Sequence, residues 1–313
     1  MLAYVTRRIV ATIPIMLIVA FFVFSLLYIA PGDPAAIIAG DQATPADVER
    51  IRASLGLDQP FLMRFVAWLW QVVHGDLGIS ISSNLPVAQM IGQRIVPTLS
   101  LMALALTLSL VSAIPMGVVA GWRNGTWLDR LIMAVAVFGF STPVFVVGYL
   151  LAYVFALQLN WLPVQGYTPP SEGLLAFLQN LILPAAALGL IYTALIARVT
   201  RAALLDVLSE DYIRTARAKG LGQRAILFIH ALKNAAVPIV TVVGIGVALL
   251  IGGAVVTESV FAIPGLGRLT VDAILRRDYP VIQGVVLLFS LVYVLVNLLV
   301  DLLYTVLDPR IRY

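Results

Sequence analysis

Six stretches of the chain stay apolar over roughly the 20 residues that a helix needs to cross a ~30 Å hydrocarbon layer. They are Ile9 to Ala30, Thr98 to Ala120, Leu131 to Leu157, Leu181 to Ala197, Pro238 to Phe261 and Val281 to Leu307. None alternates apolar and polar positions as a barrel strand would, so each predicts a transmembrane helix. Pro143 and Pro184 fall inside the third and fourth stretches. A missing N–H and a ring clash predict a kink or offset there, which neighbouring helices tolerate. The first stretch follows Arg7 and Arg8 but outruns the about 7–15 apolar residues of a cleavable leader, and it reads as a retained anchor.

Between the first two stretches, Pro31 to Pro97 is too polar to span and too long for a simple connection. Within it, Thr44-Pro45-Ala46-Asp47 predicts an N-cap with proline at N1, opening a short helix toward Leu55 that stops before Gly56. The run PFLMRFVAWLWQVVHGDLG sets Phe61, Phe65, Trp68 and Val72 at helical spacing with Trp70 beside them. That pattern fits a helix lying at the membrane interface, and equally a small packed external cap. His74, at the end of this helix, is placed to cap carbonyls rather than to bind metal. The layout has three parts: an anchor helix over 1–30, an external segment over 31–97, and a five-helix core over 98–313 carrying a polar loop at 199–236.

Composition agrees with this reading. Apolar residues make up 61% of the chain and charged residues 12%, with a mean hydropathy of +1.00, far outside the soluble range. The fold class is therefore an all-α membrane protein with six transmembrane helices. Cysteine is absent, which excludes disulfides, thiolate metal sites and a cysteine nucleophile. Neither lysine, Lys219 or Lys233, follows a glycine, so the chain carries no P-loop. Its two histidines, His74 and His230, form no H-E-x-x-H, and no G-x-S-x-G occurs. An enzyme reading has no residues to rest on, and no cofactor or metal site is expected in this chain.

Basic residues set the orientation. With the N-terminus inside, one side holds Arg7, Arg8, Arg123, Arg130, Arg198, Arg201, Arg214, Arg217, Lys219, Arg224, Lys233, Arg310 and Arg312, thirteen of the 20. The other side holds seven, Arg50, Arg52, Arg64, Arg94, Arg268, Arg276 and Arg277, spread over longer connections. Both termini are thus expected in the cytoplasm. The clearest ionisable groups inside the spans are Glu258 and Asp301. Asp301 shares its helix face with Asn297 and Tyr304, which favours an interhelical hydrogen-bond role; Glu258 is either solvated near the outer mouth or lines a path.

The densest basic stretch is RTARAKGLGQRAILFIHALKN, residues 214–234. Asp206 to Lys219 predicts a helix, Gly220-Leu221-Gly222 a turn, and Gln223 to Asn234 a second short helix leading into the fifth span. Lipid binding, positive-inside anchoring and docking of a soluble partner can each use such a projection. Small and basic residues alternating around a glycine turn fit docking best.

This stretch is similar to the cytoplasmic signature of inner-membrane permease subunits of binding-protein-dependent ABC importers, in the dipeptide, oligopeptide and nickel branch. That signature reads Glu-Ala-Ala, three residues, Gly, nine residues, Ile-x-Leu-Pro. Aligned on Gly220, its first three positions are Arg214, Thr215 and Ala216, and its last four are His230, Ala231, Leu232 and Lys233. Ala216, Gly220 and Leu232 match, while the glutamate and proline are absent. The peptide branch's wording recurs in DYIRTARAKG, HALKNAAVP, APGDPA, LGLDQP, GDLGIS, ESVFAIPGLGRLTVDAILRRDYPVIQ and DPRIR, so the resemblance covers essentially the whole chain.

The resemblance implies a permease in a bacterial-type cytoplasmic membrane, embedded in lipid and paired with a second homologous permease subunit. Two ATP-binding subunits would carry the ATP and Mg, and an external substrate-binding protein would deliver a peptide; no nucleic acid is involved. Arg214, Thr215, Ala216, Arg217, Ala218, Lys219, Gly220, Leu221, Gly222, His230, Leu232 and Lys233 would form the loop that couples to an ATPase. Pro264, Gly265 and Gly267 resemble an outer re-entrant piece, which with Glu258 gives the candidates for an outer gate or path. A nickel-chelate or small-solute importer is the alternative cargo reading. An ion-coupled secondary transporter would be expected to show paired intramembrane acids and internal repeats, and a non-transporting assembly or sensor subunit is a third class. Because the chain has no cysteine, one introduced at position 50 reports sidedness directly. A membrane-impermeant maleimide is expected to label it from the outside, and labelling from the cytoplasmic side alone overturns the orientation.

Overall fold

The computed structural model describes residues 2–29, 33–39, 43–54 and 56–307. Ala30 to Gly32 of the APGDPA run, Leu55, and the DPRIR run with Arg310 and Arg312 lie outside the described residues. The helices are α1 (Leu2–Ile29), α2 (Pro34–Ala39), α3 (Pro45–Ser54), α4 (Phe61–Val73), α5 (Val87–Trp122), α6 (Trp127–Ser141) and α7 (Val144–Leu151), the last continuing through a π-helical stretch, Ala152–Gln158. They go on with α8 (Leu174–Leu208), α9 (Asp211–Ala218), α10 (Gln223–Ala225), a π-helical stretch over Ile226–Ala231, α11 (Leu232–Asn234), α12 (Ala236–Val260), α13 (Leu266–Leu275) and α14 (Tyr279–Leu307). Among the described residues the only strand-like pairing is an isolated antiparallel bridge between Ile79 and Pro86.

Five helices, α1, α5, α8, α12 and α14, are long and apolar enough to cross a membrane; α6 and α7 make a sixth if the bent pair is one span. The third apolar stretch is therefore not one helix with a kink but two helices meeting at 105°. Thr142 lies before Pro143, and the proline ring excludes the helical region for it; it is extended, with φ −90 and ψ 126. Its N–H keeps the ordinary helical bond to the Phe138 carbonyl at 3.1 Å and its hydroxyl donates to the same carbonyl at 2.8 Å, so the last turn of α6 stays closed up to the break. Pro184, expected to act in the same way, lies inside the uninterrupted helix α8.

By contact the chain divides into two units, one of residues 96–268 and 295–313, the other of residues 2–95 and 269–294. In the first, α8 is the central helix, packed on α6, α7 and α12, with Leu181, Leu188 and Ile196 fully buried. Small residues allow close approach. A β-carbon on Gly117 of α5 would lie 2.5 Å from the Thr200 β-carbon and 2.7 Å from the Ala197 carbonyl of α8. Ser109 donates across the same pair to the Gly189 carbonyl at 2.8 Å. Arg201 of α8 grips the buried Asp129 of α6 through Nε and Nη2, at 2.6 and 2.8 Å. The Tyr304 hydroxyl donates to Thr241 at 2.7 Å, so Tyr304 supplies an interhelical bond on the face it shares with Asp301.

In the second unit, Phe21, Phe24 and Tyr28 of α1 pack against Phe61, Phe65 and Trp68 of α4 with ring centroids 4.9 to 5.6 Å apart. The aromatic stripe of α4 therefore faces α1 and is not the face offered to a membrane. The exposed apolar stripe is Leu62, Met63, Val66, Trp70 and Val73. An amphipathic count cannot separate two apolar faces on one helix; only the packing of α1 does. Thr44 caps α3 as expected, its hydroxyl accepting the Asp47 N–H at 3.3 Å while the Asp47 carboxylate accepts the Thr44 N–H at 3.2 Å. His74 bonds the Trp70 carbonyl through Nδ1 at 2.8 Å, which is the capping role expected of it.

The tight α5–α8 contact predicts a sharp size limit. Gly117→Ala is expected to destabilise the protein by about 1–3 kcal/mol through overpacking, read as a lower thermal midpoint in detergent. Gly252→Ala, where a β-carbon meets nothing within 4 Å, is expected to be neutral or stabilising.

Candidate functional sites

The polar loop starts later than its sequence suggests. Instead of one helix from Asp206, α8 runs on to Leu208, and the Ser209 hydroxyl donates back to the Asp206 carbonyl at 2.7 Å. Glu210 is extended, with φ −68 and ψ 147, and α9 begins at Asp211. Ile213 is fully buried and anchors the helix, while Arg214, Thr215, Arg217, Ala218 and Lys219 are exposed and Ala216 is half-buried. The end of α9 is a Schellman turn. The Leu221 N–H reaches the Ala216 carbonyl at 3.2 Å, and the Gly220 N–H reaches that of Arg217 at 2.9 Å.

Gly220 has φ +82, and a β-carbon placed on it would meet nothing within 4 Å, so its backbone angle, not space, requires glycine. Gly222 returns to extended angles, φ −66 and ψ 151, and starts the second helical piece. Ile226, Leu227 and Ala231 bury that piece, with Leu227 and Ala231 packed on Val118 and Leu204. Leu221, His230 and Leu232 are half-buried, and Gly222 and Lys233 exposed. Arg214 pairs with Asp211 at 3.0 Å, both exposed; such a pair contributes little. No ion pair occupies Arg217, Lys219, Arg224 or Lys233 among the described residues. Ile213, the one large aliphatic residue in a polar helix, is the signal that the sequence carries for this anchor.

The second candidate is the hairpin that follows α12. The Ile263 N–H bonds the Glu258 carbonyl and the Gly265 N–H that of Ile263, both at 2.9 Å, and Ala262 takes φ +53. Glu258 is 0% exposed. Its Oε1 accepts the Thr98 hydroxyl at 2.5 Å and its Oε2 the Arg268 N–H at 3.0 Å, while the Thr98 oxygen accepts the Leu266 N–H at 2.8 Å. The carboxylate thus sits at the N-terminus of α13, where unpaired N–H groups and the helix dipole favour negative charge. A β-carbon on Gly265 would fall inside this carboxylate, and one on Gly267 would lie 2.5 Å from the Val255 Cα. Glu258, Gly265 and Gly267 are brought together and Pro264 is exposed beside them. Thr98 is the partner that sequence reasoning missed, 160 residues away from Glu258 with no local pattern to reveal it.

At the other end of α13 a second acid is buried. Asp278, 1% exposed, accepts the hydroxyls of Ser80 and Ser82 at 2.6 and 2.8 Å and the N–H groups of Ile81 and Ser82, each at 3.2 Å. Burial pushes its carboxyl up, but the donated hydrogen bonds together outweigh that and hold it below the usual carboxylate range. A depressed value means stability that is present above the unfolded pKa of ~3.9 and lost as pH falls through the folded one. Asp278→Asn is therefore expected to cost about 1–3 kcal/mol at pH 7. The difference from the parent in thermal midpoint should shrink below about pH 4.

Residues 113–313 match the family model described as binding-protein-dependent transport system inner membrane component, and residues 1–102 match its N-terminal companion. A probable peptide ABC transporter permease protein of Sinorhizobium fredii is 53% identical over 99% of both chains. A putative peptide transport system permease protein of Brucella abortus is 47% identical over 100% of both. A glutathione transport system permease protein of Escherichia coli K12 is 45% identical, again over 100% of both. Among solved structures, a chain of the MetNI methionine ABC transporter in an inward facing conformation superposes with a TM-score of 0.60 at 19% identity, over 70% of this chain and 97% of that one. That likeness speaks to the fold.

Proposed function

This chain belongs to the inner membrane component family of binding-protein-dependent transport systems, a permease subunit of an ABC importer working with ATP-binding subunits and a substrate-binding protein, and we propose that it carries peptides. The observation that supports this cargo most is the similarity over whole chains to permeases named for peptide and for glutathione, itself a short peptide. The near absence of charge inside the spans suits a path that must pass varied side chains and release them. We further propose that one homologous permease and two ATP-binding subunits complete the assembly, and that both termini and the polar loop face the cytoplasm, as the distribution of arginine and lysine indicates.

The loop from Arg214 to Lys233 is proposed as the element that meets an ATP-binding subunit. Its support is geometric: a basic, solvent-exposed helix end is held rigid by a Schellman turn and by the buried Ile213, Ile226 and Leu227. α9 is separated from α8 by only Ser209 and Glu210, so a displacement of the loop is delivered to a helix that spans the core of its unit. At the other end of α12, Glu258 is proposed to hold the Pro264 to Gly267 hairpin in one of two positions that transport requires.

The test is ATP-driven uptake of labelled peptides into vesicles containing the complete transporter, with and without this chain. Peptide uptake that depends on the chain is expected; uptake of a nickel chelate with no peptide uptake overturns the cargo. Gly220→Val, which forces a β-branched residue into the left-handed region at about 1–2 kcal/mol, is expected to insert normally. It should recover less ATP-binding subunit and lose uptake, and full transport by this variant would refute the coupling role.

A further inference from the structure

The unit formed by residues 2–95 and 269–294 contains a cleft of about 760 Å³, within the size range of small-molecule sites. Its apolar walls include Phe24, Leu27 and Trp68, and its polar ones Gln59, Arg64, Gln71, Asp76 and Gln283. Two of these are of opposite charge, and neither is neutralised by the protein. The Arg64 guanidinium stacks over the Phe24 and Tyr28 rings at 5.6 and 5.5 Å and donates to the Tyr28 hydroxyl. Asp76 accepts the Gly78 N–H at 2.9 Å. Among the described residues neither has an ion-pair partner.

We propose that this cleft binds a short peptide in extended form, its terminal carboxylate on Arg64 and its terminal ammonium on Asp76. The proposal rests on the peptide reading above and adds a binding site built from residues other than those of the loop and the hairpin. Chain geometry sets the length of the occupant. From Arg64 to the helix end at Val73 is about 14 Å at 1.5 Å per residue, with Asp76 beyond it. An extended peptide advances about 3.3–3.6 Å per residue, so a backbone of about four to five residues matches the length of the cleft wall that α4 supplies. The side-chain amides of Gln59, Gln71 and Gln283 also line the cleft and offer both donors and acceptors, which is what a peptide backbone requires. Gln283 is itself held in place, its amide nitrogen donating to the Val23 carbonyl at 3.4 Å.

The experiment uses the assembled transporter in nanodiscs without its binding protein, so that recognition of peptide termini elsewhere does not contribute. Ala67→Cys places the chain's single thiol on the cleft wall, and protection of that thiol from maleimide reports occupancy. A free pentapeptide of alanine and glycine is expected to protect, with about tenfold weaker protection after C-terminal amidation or N-terminal acetylation. Arg64→Gln is expected to abolish the effect of amidation and keep that of acetylation; Asp76→Asn, on an exposed loop, is expected to do the converse. Protection that ignores terminal blocking in the parent, or equal protection by glycerophosphoethanolamine, overturns the site even where peptide uptake stands. No protection by any peptide overturns it as well. Absence of peptide uptake by the complete transporter, with the cleft still protected, would remove the cargo reading and leave the site.

Discussion

A backbone placed in hydrocarbon finds no water for its N–H and C=O groups, and leaving one unpaired costs several kcal/mol. That constraint governs where this chain can leave the helix. Where α6 breaks at Pro143, Thr142 returns two donors to the Phe138 carbonyl. Where α12 gives way to the hairpin, the unpaired N–H groups at the start of α13 are met by the Glu258 carboxylate and the Thr98 hydroxyl. At the far end of α13, Asp278 gathers four donors from residues 80 to 82. At Thr142 the side chain donates, whereas at the two ends of α13 the side chains that accept are the buried acids Glu258 and Asp278. An ionisable group in such a protein is commonly a transport group; here both first answer a backbone need.

The same solvent removes the hydrophobic drive between helices, and contact area has to come from fit. Gly117, Gly121 and Gly189 let α5 approach α8 closely enough for Ser109 to bond the Gly189 carbonyl. The Asp129–Arg201 pair, with the aspartate buried and the arginine partly open, then fixes α6 on α8 a few residues before α8 reaches the polar loop. A rigid α8 matters because it ends within three residues of α9, so whatever grips the loop also grips the centre of the unit. Of the exposed basic residues of the loop, Arg214 pairs with the equally exposed Asp211, while Arg217, Lys219, Arg224 and Lys233 make no ion pair among the described residues.

Sequence reasoning reached the class, the number of apolar stretches, the capping at Thr44 and His74, and the glycine turn at Gly220. Each of these is a local matter. Hydrophobic length follows from bilayer thickness, a cap from residues three or four apart, and the glycine from the backbone angle that ends a helix. The family resemblance was carried by short runs of residues read along the chain, which is also local information. What periodicity could not supply was which side of α4 is covered, because Leu62, Met63, Val66, Trp70 and Val73 are as apolar as the stripe that packs on α1.

The sequence by itself thus determined that this chain spans a membrane as helices, where most of them lie, and that a basic glycine turn interrupts them. Tertiary structure alone decided that Pro143 divides a stretch that Pro184 does not divide elsewhere. It also decided that Ile213 anchors the loop, that Glu258 meets Thr98 and that Asp278 meets Ser80 and Ser82. The reason is separation: the Glu258 and Asp278 partners lie 160 and 198 residues away, and a hydrogen bond across that distance leaves no period, cap or spacing in the chain. Whether a proline breaks a helix likewise depends on whether neighbours can take up the groups it frees, and neighbours exist only once the chain is folded.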